Sequence, residues 1–312
     1  MATILITGGS GLIGTALTDA LLRDGHTVRH LGRGRGRSGT VQQFTWDIRR
    51  GTMDTAALEG VDHIIHLAGA GIADKRWTEA RVKELIESRA GSARLLLRMA
   101  QREGLRPASF ISAAGINYHG AVTTSHTYVE SDPAGTDTIA RISVAWEAAV
   151  DEWSSLCRVV KLRTPIVLSP TGGALAKLLL PVRWGLGAPL GTGRQRMPWV
   201  HLNDLVDAYR HALTNTTLQG PYNVCAAEQV DNRNFTRTLG RVLGRPVFLP
   251  AVPAFALRLA LGELSGILLE GSAASSERLR STGFTYRYER LEDALRSLLD
   301  RPVGAASSSN PE

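Results

Sequence analysis

Residues 3–14 decide the fold and read T-I-L-I-T-G-G-S-G-L-I-G. The first five form a short apolar run typical of a buried strand, and an amphipathic helical pattern continues to Arg23. Gly8 permits a sharp turn off the strand, Gly11 lets backbone amides approach a phosphate without a Cβ in the way, and Gly14 lets the helix pack on the sheet. The stretch therefore predicts a strand, a phosphate-binding turn and a helix in succession.

The first half of the chain alternates short apolar strands with helical segments. Strands are predicted at Thr3–Thr7, His26–Leu31, Phe44–Asp47, His63–Leu67, Ser109–Ser112 and Arg158–Ser169, and helices at Leu12–Arg23, Glu79–Glu103 and Ala140–Trp153. Such an alternation is typical of α/β proteins, in which helices cover both faces of a parallel sheet. We therefore predict a Rossmann-type doubly wound parallel sheet with a smaller C-terminal α/β substrate domain.

The pattern changes after Ser169, where glycine and proline become frequent. A helix is predicted at Asn203–Leu213, and a further strand at Pro221–Cys225 is expected to rejoin the sheet. We predict a dinucleotide-binding domain from residues 1–170 plus about 199–227. Residues 171–198 and 228–300 then form the substrate-binding region, the cleft between the two is the expected ligand site, and residues 302–312 form a disordered tail.

Composition describes a globular chain with a basic balance. The 312 residues are 43% hydrophobic and 21% charged, which excludes a disordered, collagen-like or coiled-coil chain, and the net charge is +7. Arginine greatly outnumbers lysine, which reflects either a GC-rich genome or attraction of anionic ligands such as phosphates. The charges are scattered apart from Arg33, Arg35 and Arg37, so no nucleic-acid partner is expected.

Cysteine use and hydropathy bear on the compartment. Cys157 and Cys225 form neither a metal-ligand spacing nor a disulfide framework, which favours a reducing cytoplasm, and no metal is expected. The N-terminus lacks a signal-peptide pattern, and no run of about 18 apolar residues exists. We expect a monomer or homodimer acting on a small-molecule substrate, with no membrane partner. The apolar stretch Phe255–Leu261 is interpreted as core or subunit contact rather than as a membrane anchor.

The glycine turn and the strand ends predict a dinucleotide site. The residues expected at the pyrophosphate are Gly8, Gly9, Ser10, Gly11, Leu12, Ile13 and Gly14. The second strand ends in Arg33 with no acid at hand, which favours NADP(H), since a guanidinium holds a 2′-phosphate whereas NAD binders place Asp or Glu there. The alternative is a solvated basic loop.

Four further residues are expected near the cofactor. Asp47 is predicted to accept from the adenine amino group, or else to cap a turn. Leu67, Ala68 and Gly69 follow the fourth strand, and small residues there let a dinucleotide lie across the strand ends.

Several segments together resemble the extended short-chain dehydrogenase/reductases, and more closely their atypical SDR39U-like "epimerase family" branch with a C-terminal DUF1731-type domain. The resemblance covers about residues 1–300. Its pieces are T-G-G-S-G-L-I-G (7–14), H-L-A-G-A-G-I (66–72), R-W-T (76–78), E-S-R (87–89), W-E (146–147), L-R-T-P-I-V-L (162–168), G-G-A-L (172–175), M-P-W-V-H-L-N-D-L (197–205), L-P-A-V-P-A-F-A-L-R-L-A-L-G-E (249–263) and G-F-T-Y-R-Y (283–288). It implies a Rossmann-type fold, NADP(H) binding and an oxidoreductase activity.

The usual catalytic set of that superfamily is absent from its expected places. Short-chain dehydrogenases use a Tyr-x-x-x-Lys pair on a helix and a serine after the fifth strand; here those places fall at Ile139, Ser143 and Ala114. Ser112 and Tyr118 remain as catalytic candidates, with Tyr118 either donating to a substrate oxygen or packing in the cleft wall.

The other candidates line the expected cleft. Pro165, Ile166 and Val167 are expected beside the nicotinamide. Candidate substrate contacts are Trp77, His119, Gln195, Trp199 and His201. For two of them a structural alternative stays open: His119 as a surface loop residue, and His201 as part of an ordinary strand-to-helix connection.

Three function classes follow. The first is an NADP(H)-dependent oxidoreductase acting on a small-molecule carbonyl, imine or alcohol, because a bound nicotinamide supplies the hydride chemistry itself. The second is an epimerase, dehydratase or cyclase without net redox. The third is a non-catalytic NADP(H)-binding sensor, since the usual acid–base set is missing.

Overall fold

The computed structural model describes residues 1–34 and 41–299. The strands are β1 (Thr3–Thr7), β2 (Thr27–Gly32), β3 (Gln42–Asp47), β4 (Thr52–Met53), β5 (His63–His66), β6 (Ser109–Gly115), β7 (Thr127–Tyr128), β8 (Arg158–Thr164), β9 (Ile166–Leu168), β10 (Trp199–His201), β11 (Gly220–Asn223) and β12 (Ala273–Ala274). The helices are α1 (Leu12–Arg23), α2 (Glu79–Ile86), α3 (Ser92–Arg102), α4 (Thr138–Asp151), α5 (Gly173–Arg183), α6 (Leu202–Thr214), α7 (Asn232–Val242), α8 (Ala254–Leu261), α9 (Gly266–Leu269), α10 (Glu277–Arg280) and α11 (Leu291–Leu299).

One sheet organises the molecule. Its strand order is β11-β8-β6-β5-β1-β2-β3-β4, and every pairing in it is parallel except that of β3 with β4. The chain leaves β1 for β2 on one side and returns to β5 on the other, so the strand order reverses between β1 and β5. In doubly wound sheets, ligands bind at such a reversal, outside the carboxyl ends of the strands.

Both faces of the sheet are buried. Ile4 and Ile6 of β1 face a core shared with α1 and α6, whereas Leu5 between them faces a core shared with α3 and α4. A strand covered on both sides reads as a continuous apolar run, and residues 4–6 are fully buried. The predicted Rossmann-type doubly wound α/β fold is confirmed.

A third core lies beside the sheet, separate from the two cores on its faces. It contains Trp199 of β10, Leu175 of α5, Phe235 of α7 and Leu295 of α11. The domain boundaries predicted from sequence stay a prediction, and the tail at 302–312 lies outside the described residues.

Two predicted elements differ from the observed ones. The single strand predicted at Arg158–Ser169 is wrong, because Pro165 separates β8 in the large sheet from β9, which pairs with β10 instead. The helix predicted at Glu79–Glu103 is divided between α2 and α3 by a π-helical segment at Glu87–Gly91. Such widened turns often occur at functional sites.

A buried ion cluster joins α4 to β8. The Glu147 carboxylate accepts from Arg163 at 2.7 and 3.1 Å and lies 3.2 Å from the Lys161 ammonium. All three side chains are less than a tenth exposed, and Lys161 also contacts Asp151 at 2.8 Å. Removing the carboxylate would leave two buried cations without their central partner.

We therefore expect Glu147→Ala to lower the free energy of unfolding by about 3–5 kcal/mol, as measured by urea denaturation. Glu152→Ala is the matched control, because Glu152 pairs with Arg94 in an exposed ion pair and its loss should cost about 1 kcal/mol or less. Equal losses in the two variants would refute the structural role assigned to Glu147.

Candidate cofactor and substrate cleft

The turn between β1 and α1 is open to solvent where a phosphate would lie. Ser10 and Gly11 are exposed, and the Gly11 amide donates to the Gly8 carbonyl at 3.0 Å. Helix α1 begins at the next residue, Leu12, with no side chain capping its first amides. The free N–H groups and the dipole of the helix N-terminus favour an anion there.

The glycines of this turn have distinct packing roles. Gly8 has φ 72°, and a Cβ on it would lie 2.9 Å from the Leu67 carbonyl. A Cβ on Gly14 would lie 2.4 Å from the Gly8 oxygen, and one on Gly9 would lie 2.4 Å from the His30 ring. A Cβ on Gly11 would meet only the Gly8 oxygen, at 3.3 Å, so its other side is free for a ligand.

Thr7 and His66 support the turn and were missed by the sequence analysis. The Thr7 hydroxyl accepts from the Leu67 and Ala68 amides at 3.2 Å each and bonds the His66 imidazole at 2.8 Å. This fixes the segment Leu67–Gly69 beside the glycine turn. The available signal was a polar residue at the end of each of two otherwise apolar neighbouring strands.

Arg33 lies at the carboxyl edge of the sheet, directly after β2. It is exposed and makes no hydrogen bond or ion pair with the described residues, so its guanidinium is available to an anion. Arg35 and Arg37 lie outside the described residues. The Asp47 carboxylate accepts from the Arg49 and Arg50 amides at 2.9 and 3.0 Å, which is the turn role left open from sequence.

Side chains from residues 77–89, which lie just before α2, in α2 and in the π-helical segment, bond the loop after β5. The carbonyls of residues 70–72 accept, in order, from Arg89, Arg81 and the Trp77 indole. The Ser88 hydroxyl accepts from the amide of residue 70. Trp77, which was expected to contact the substrate, thus donates a hydrogen bond to the protein backbone. The three motifs H-L-A-G-A-G-I, R-W-T and E-S-R are joined by these bonds into one unit.

Arg89 is a buried cation beneath this loop. Its side chain is 6% exposed, burial lowers its pKa to about 10, and no carboxylate of the described residues pairs with it. A Cβ on Gly69 would lie 3.0 Å from its guanidinium carbon, so the charge lies directly behind the expected cofactor segment. From the sequence, Arg89 was included only as part of the E-S-R motif, because neighbouring positions on a helix do not show what covers them.

The three places where the sequence predicts the usual catalytic set to fall hold apolar or internally hydrogen-bonded side chains. Ile139 is buried with Leu85 and Ile142, against half-buried side chains that include Trp77 and Ile267. The Ser143 hydroxyl donates to the Ile139 carbonyl within its own helix at 3.0 Å. Ala114 is likewise buried. None of these groups offers a proton to a substrate.

Tyr118 and His119 lie on the ion cluster. The Arg163 guanidinium stacks over the Tyr118 ring at 3.9 Å and bonds His119 Nε2 at 3.2 Å. The surface-loop alternative for His119 is wrong, because the side chain is 5% exposed and its Nδ1 bonds the Pro133 carbonyl at 2.9 Å. Burial lowers its pKa below the ordinary range. Tyr118 is half-buried, and its hydroxyl has no hydrogen-bond partner among the described residues.

The remaining predicted contacts are divided between packing and cleft. Ser112 is fully buried and donates to the Ala113 carbonyl at 2.7 Å, so it faces no open space. Pro165, Ile166 and Val167 are half-buried where β8 ends, which leaves them accessible to a ligand.

The expected substrate contacts Gln195, Trp199 and His201 are all nearly or fully buried. Trp199 has no exposed surface and donates to the Glu228 carbonyl at 3.2 Å. His201 caps α6 through the Asn203 amide, stacks on Tyr288 and lies near Ser297. Trp199 and His201 therefore have structural roles in this conformation, which corrects the expectation that they line the substrate.

Neither a membrane-spanning helix nor a metal-binding cluster occurs among the described residues. They contain no helix that is both long and apolar enough to cross a bilayer. Nor do residues 1–34 and 41–299 bring together three or more His, Cys, Asp or Glu side chains in a metal-binding arrangement.

The fold and the glycine turn are those of an extended short-chain dehydrogenase/reductase. Residues 4–225 match the model of the NAD dependent epimerase/dehydratase family, and residues 252–298 match a domain of unknown function, DUF1731. The chain therefore belongs to the NAD dependent epimerase/dehydratase family.

Named relatives match over nearly the whole chain. The mouse "Epimerase family protein SDR39U1" is 35% identical, covering 95% of this chain and 99% of that protein. The Mycobacterium bovis "Epimerase family protein Mb2239" is 36% identical over 96% and 99%. The crystal structure of human SDR39U1 (isoform 2) with NADPH superposes with a TM-score of 0.87 at 32% identity, covering 96% of this chain and all of that one.

The buried His66 predicts an acid-sensitive fold. Burial lowers its pKa to about 4 from 6.5, so folding favours the neutral ring and stability is lost as the pH falls from 6.5 towards 4. We expect this site to contribute a loss of about 3 kcal/mol by pH 4. Urea denaturation at pH 7 and pH 4.5 should show a smaller pH dependence in His66→Gln than in the wild type, and an unchanged dependence would contradict the assignment.

Proposed function

We propose that the protein is an NADP(H)-dependent oxidoreductase that transfers a hydride between the nicotinamide and a small-molecule carbonyl, imine or alcohol. The observation that carries the proposal is the open turn at residues 8–14, in which exposed amides at the start of α1 meet no side-chain cap. The NADPH in the human relative's structure supports it. The pyrophosphate lies on this turn, and the nicotinamide reaches Pro165, Ile166 and Val167.

NADP(H) is favoured over NAD(H) because of the charge at the end of β2. Arg33 is the cation that binds the 2′-phosphate, and its guanidinium has no competing partner among the described residues. The strand end offers no carboxylate to accept from a ribose 2′-hydroxyl. Asp47 contributes the turn that shapes the adenine side of the site.

Tyr118 is the proton donor in this proposal. Its hydroxyl has no hydrogen-bond partner among the described residues and can donate to a substrate oxygen, while the Arg163 guanidinium stacks on its ring. The cofactor supplies the hydride. The Arg163–Glu147 pair holds the ring in place, and Arg89 beneath residues 69–70 holds the loop over the cofactor.

An epimerase without net redox is the less favoured alternative. Sugar epimerisation needs polar groups at the sugar hydroxyls and a proton acceptor at the tyrosine place, where this chain has Ile139 in an apolar cluster. A non-catalytic sensor is disfavoured by the free hydroxyl of Tyr118.

The free thiols, with Cys225 buried and its pKa raised by burial, fit a reducing cytoplasm.

Replacing Arg33 tests the cofactor choice. Arg33→Ala should weaken NADPH binding about tenfold to a hundredfold and leave NADH binding almost unchanged, since only NADPH carries the 2′-phosphate. Calorimetric titration of both cofactors measures this. Arg23→Ala is the control, because it removes the same charge at the far end of α1. Equal weakening of both cofactors by Arg33→Ala would refute the role of Arg33.

Replacing Tyr118 tests the proton donor. Tyr118→Phe should lower turnover with a carbonyl or imine panel by about a hundredfold or more while NADPH affinity stays the same. NADPH consumption followed by absorbance measures turnover. Tyr128→Phe removes a hydroxyl from the ring stacked on His119 and should retain activity. Wild-type turnover in Tyr118→Phe would exclude Tyr118 as the donor.

A further inference from the structure

An apolar face lies exposed on the side of the molecule that holds the third core, the one that contains Leu175 and Phe235. We define it by its six large apolar side chains, which are among the most exposed of the described residues: Leu180, Trp184, Leu186, Phe248, Phe255 and Leu259. Helix α8 buries none of its side chains, and Phe255 and Leu259 are 73% and 79% exposed. The interpretation of Phe255–Leu261 as core is therefore wrong for these residues.

The segments that carry this apolar face are neighbours. The Leu186 amide bonds the Pro181 carbonyl at 2.8 Å, which folds the chain back on the end of α5. Beyond it, the Val252 amide donates to the Pro189 carbonyl at 2.8 Å, and the Val252 carbonyl accepts in return from the amide of residue 191 at 2.9 Å. The end of α5, the loop that follows it and the start of α8 thus form one continuous surface.

The two chain segments that carry the apolar face contain only cations, two of which, Lys177 and Arg241, pair with Asp74 and Glu292 of other segments. Residues 171–203 contain four cations and residues 232–262 contain five, and neither segment contains an Asp or Glu. Arg183, Arg245 and Arg258 are exposed and have no ion-pair partner among the described residues. Arg258 lies on α8 between Phe255 and Leu259 at helical spacing, so charge and apolar groups share one side of the helix.

We propose that this face docks the protein peripherally on a bilayer that contains anionic lipid. Exposed aromatic and leucine side chains enter the interface between headgroups and acyl chains, and arginines beside them bind the anionic headgroups. A second copy of the chain fits less well, because a two-fold contact would place cations against cations with no acid to pair them. This replaces the sequence expectation of no membrane partner.

The apolar face adjoins the cleft. Lys177 of α5 bonds the Ala73 carbonyl at 3.1 Å, and Gly262 at the end of α8 lies against Arg76. Residues 73–76 belong to the loop that Arg81, Arg89 and Trp77 hold beside the expected cofactor site. Docking therefore brings the mouth of the cleft close to the lipid.

Vesicle sedimentation tests the proposal on the full chain without cofactor. The vesicles contain phosphatidylcholine with about 30% phosphatidylglycerol, which is anionic. They should bind the protein at least about tenfold more strongly than vesicles of phosphatidylcholine alone. Trp184 is 75% exposed whereas the other five tryptophans are buried or half-buried, so its emission should shift to shorter wavelength on binding.

Two variants and a control separate the contributions. Phe255→Ser with Leu259→Ser should lower vesicle binding at least tenfold, and Arg183→Ser with Arg258→Ser should remove most of the preference for anionic lipid, about fivefold per arginine. Arg98→Ser with Arg106→Ser removes two exposed charges elsewhere and should change binding much less. Circular dichroism and thermal midpoints verify that each variant is folded.

Three outcomes would overturn the proposal. One is failure of the wild type to bind phosphatidylglycerol vesicles at low salt. Another is equal loss in the control and in the arginine variant, which would indicate nonspecific attraction of a basic protein. The third is a fall in molar mass on sedimentation analysis of Phe255→Ser with Leu259→Ser, which would show that a second copy covers the face.

Discussion

The close contact between the β1–α1 turn and the β5 loop is the constraint on which the cleft depends. Gly8 approaches the Leu67 carbonyl so closely that a Cβ would not fit, and the Thr7 hydroxyl binds the amides of Leu67 and Ala68. This contact sets the two strand ends at the point where the sheet order reverses. An anion on the turn and a ring over the strand ends are then both within reach.

Two groups of buried cations in the molecule have different partners for their charge. Arg163 and Lys161 are neutralised by Glu147, and Arg163 holds Tyr118 and His119 in place. Within the described part of the chain, Arg89 has no such carboxylate and donates to the backbone carbonyls of Leu85 and Ala70 instead. A buried unpaired guanidinium is costly for folding, and it leaves a positive field behind the segment that faces the cofactor. The same arrangement explains why that loop needs side chains from two turns of helix to hold it.

The sequence predicted the strand–turn–helix unit and the parallel sheet because both depend on local pattern: β1 and α1 occur at their predicted boundaries. It did not predict the break at Pro165, since the apolar run continues through it while the hydrogen-bond partner changes. The roles of Arg89, His119 and Trp199 were also beyond it. Their burial is decided by segments far away in the chain, which no spacing rule connects.

Direct titration of the purified protein with each dinucleotide tests the central claim. Calorimetry should detect NADPH binding at one site per chain, with NADH binding at least tenfold more weakly, because the turn holds the pyrophosphate of both and Arg33 adds a contact to one. Heat from neither dinucleotide at concentrations up to the millimolar range would contradict the account of the turn, and with it the proposed hydride chemistry.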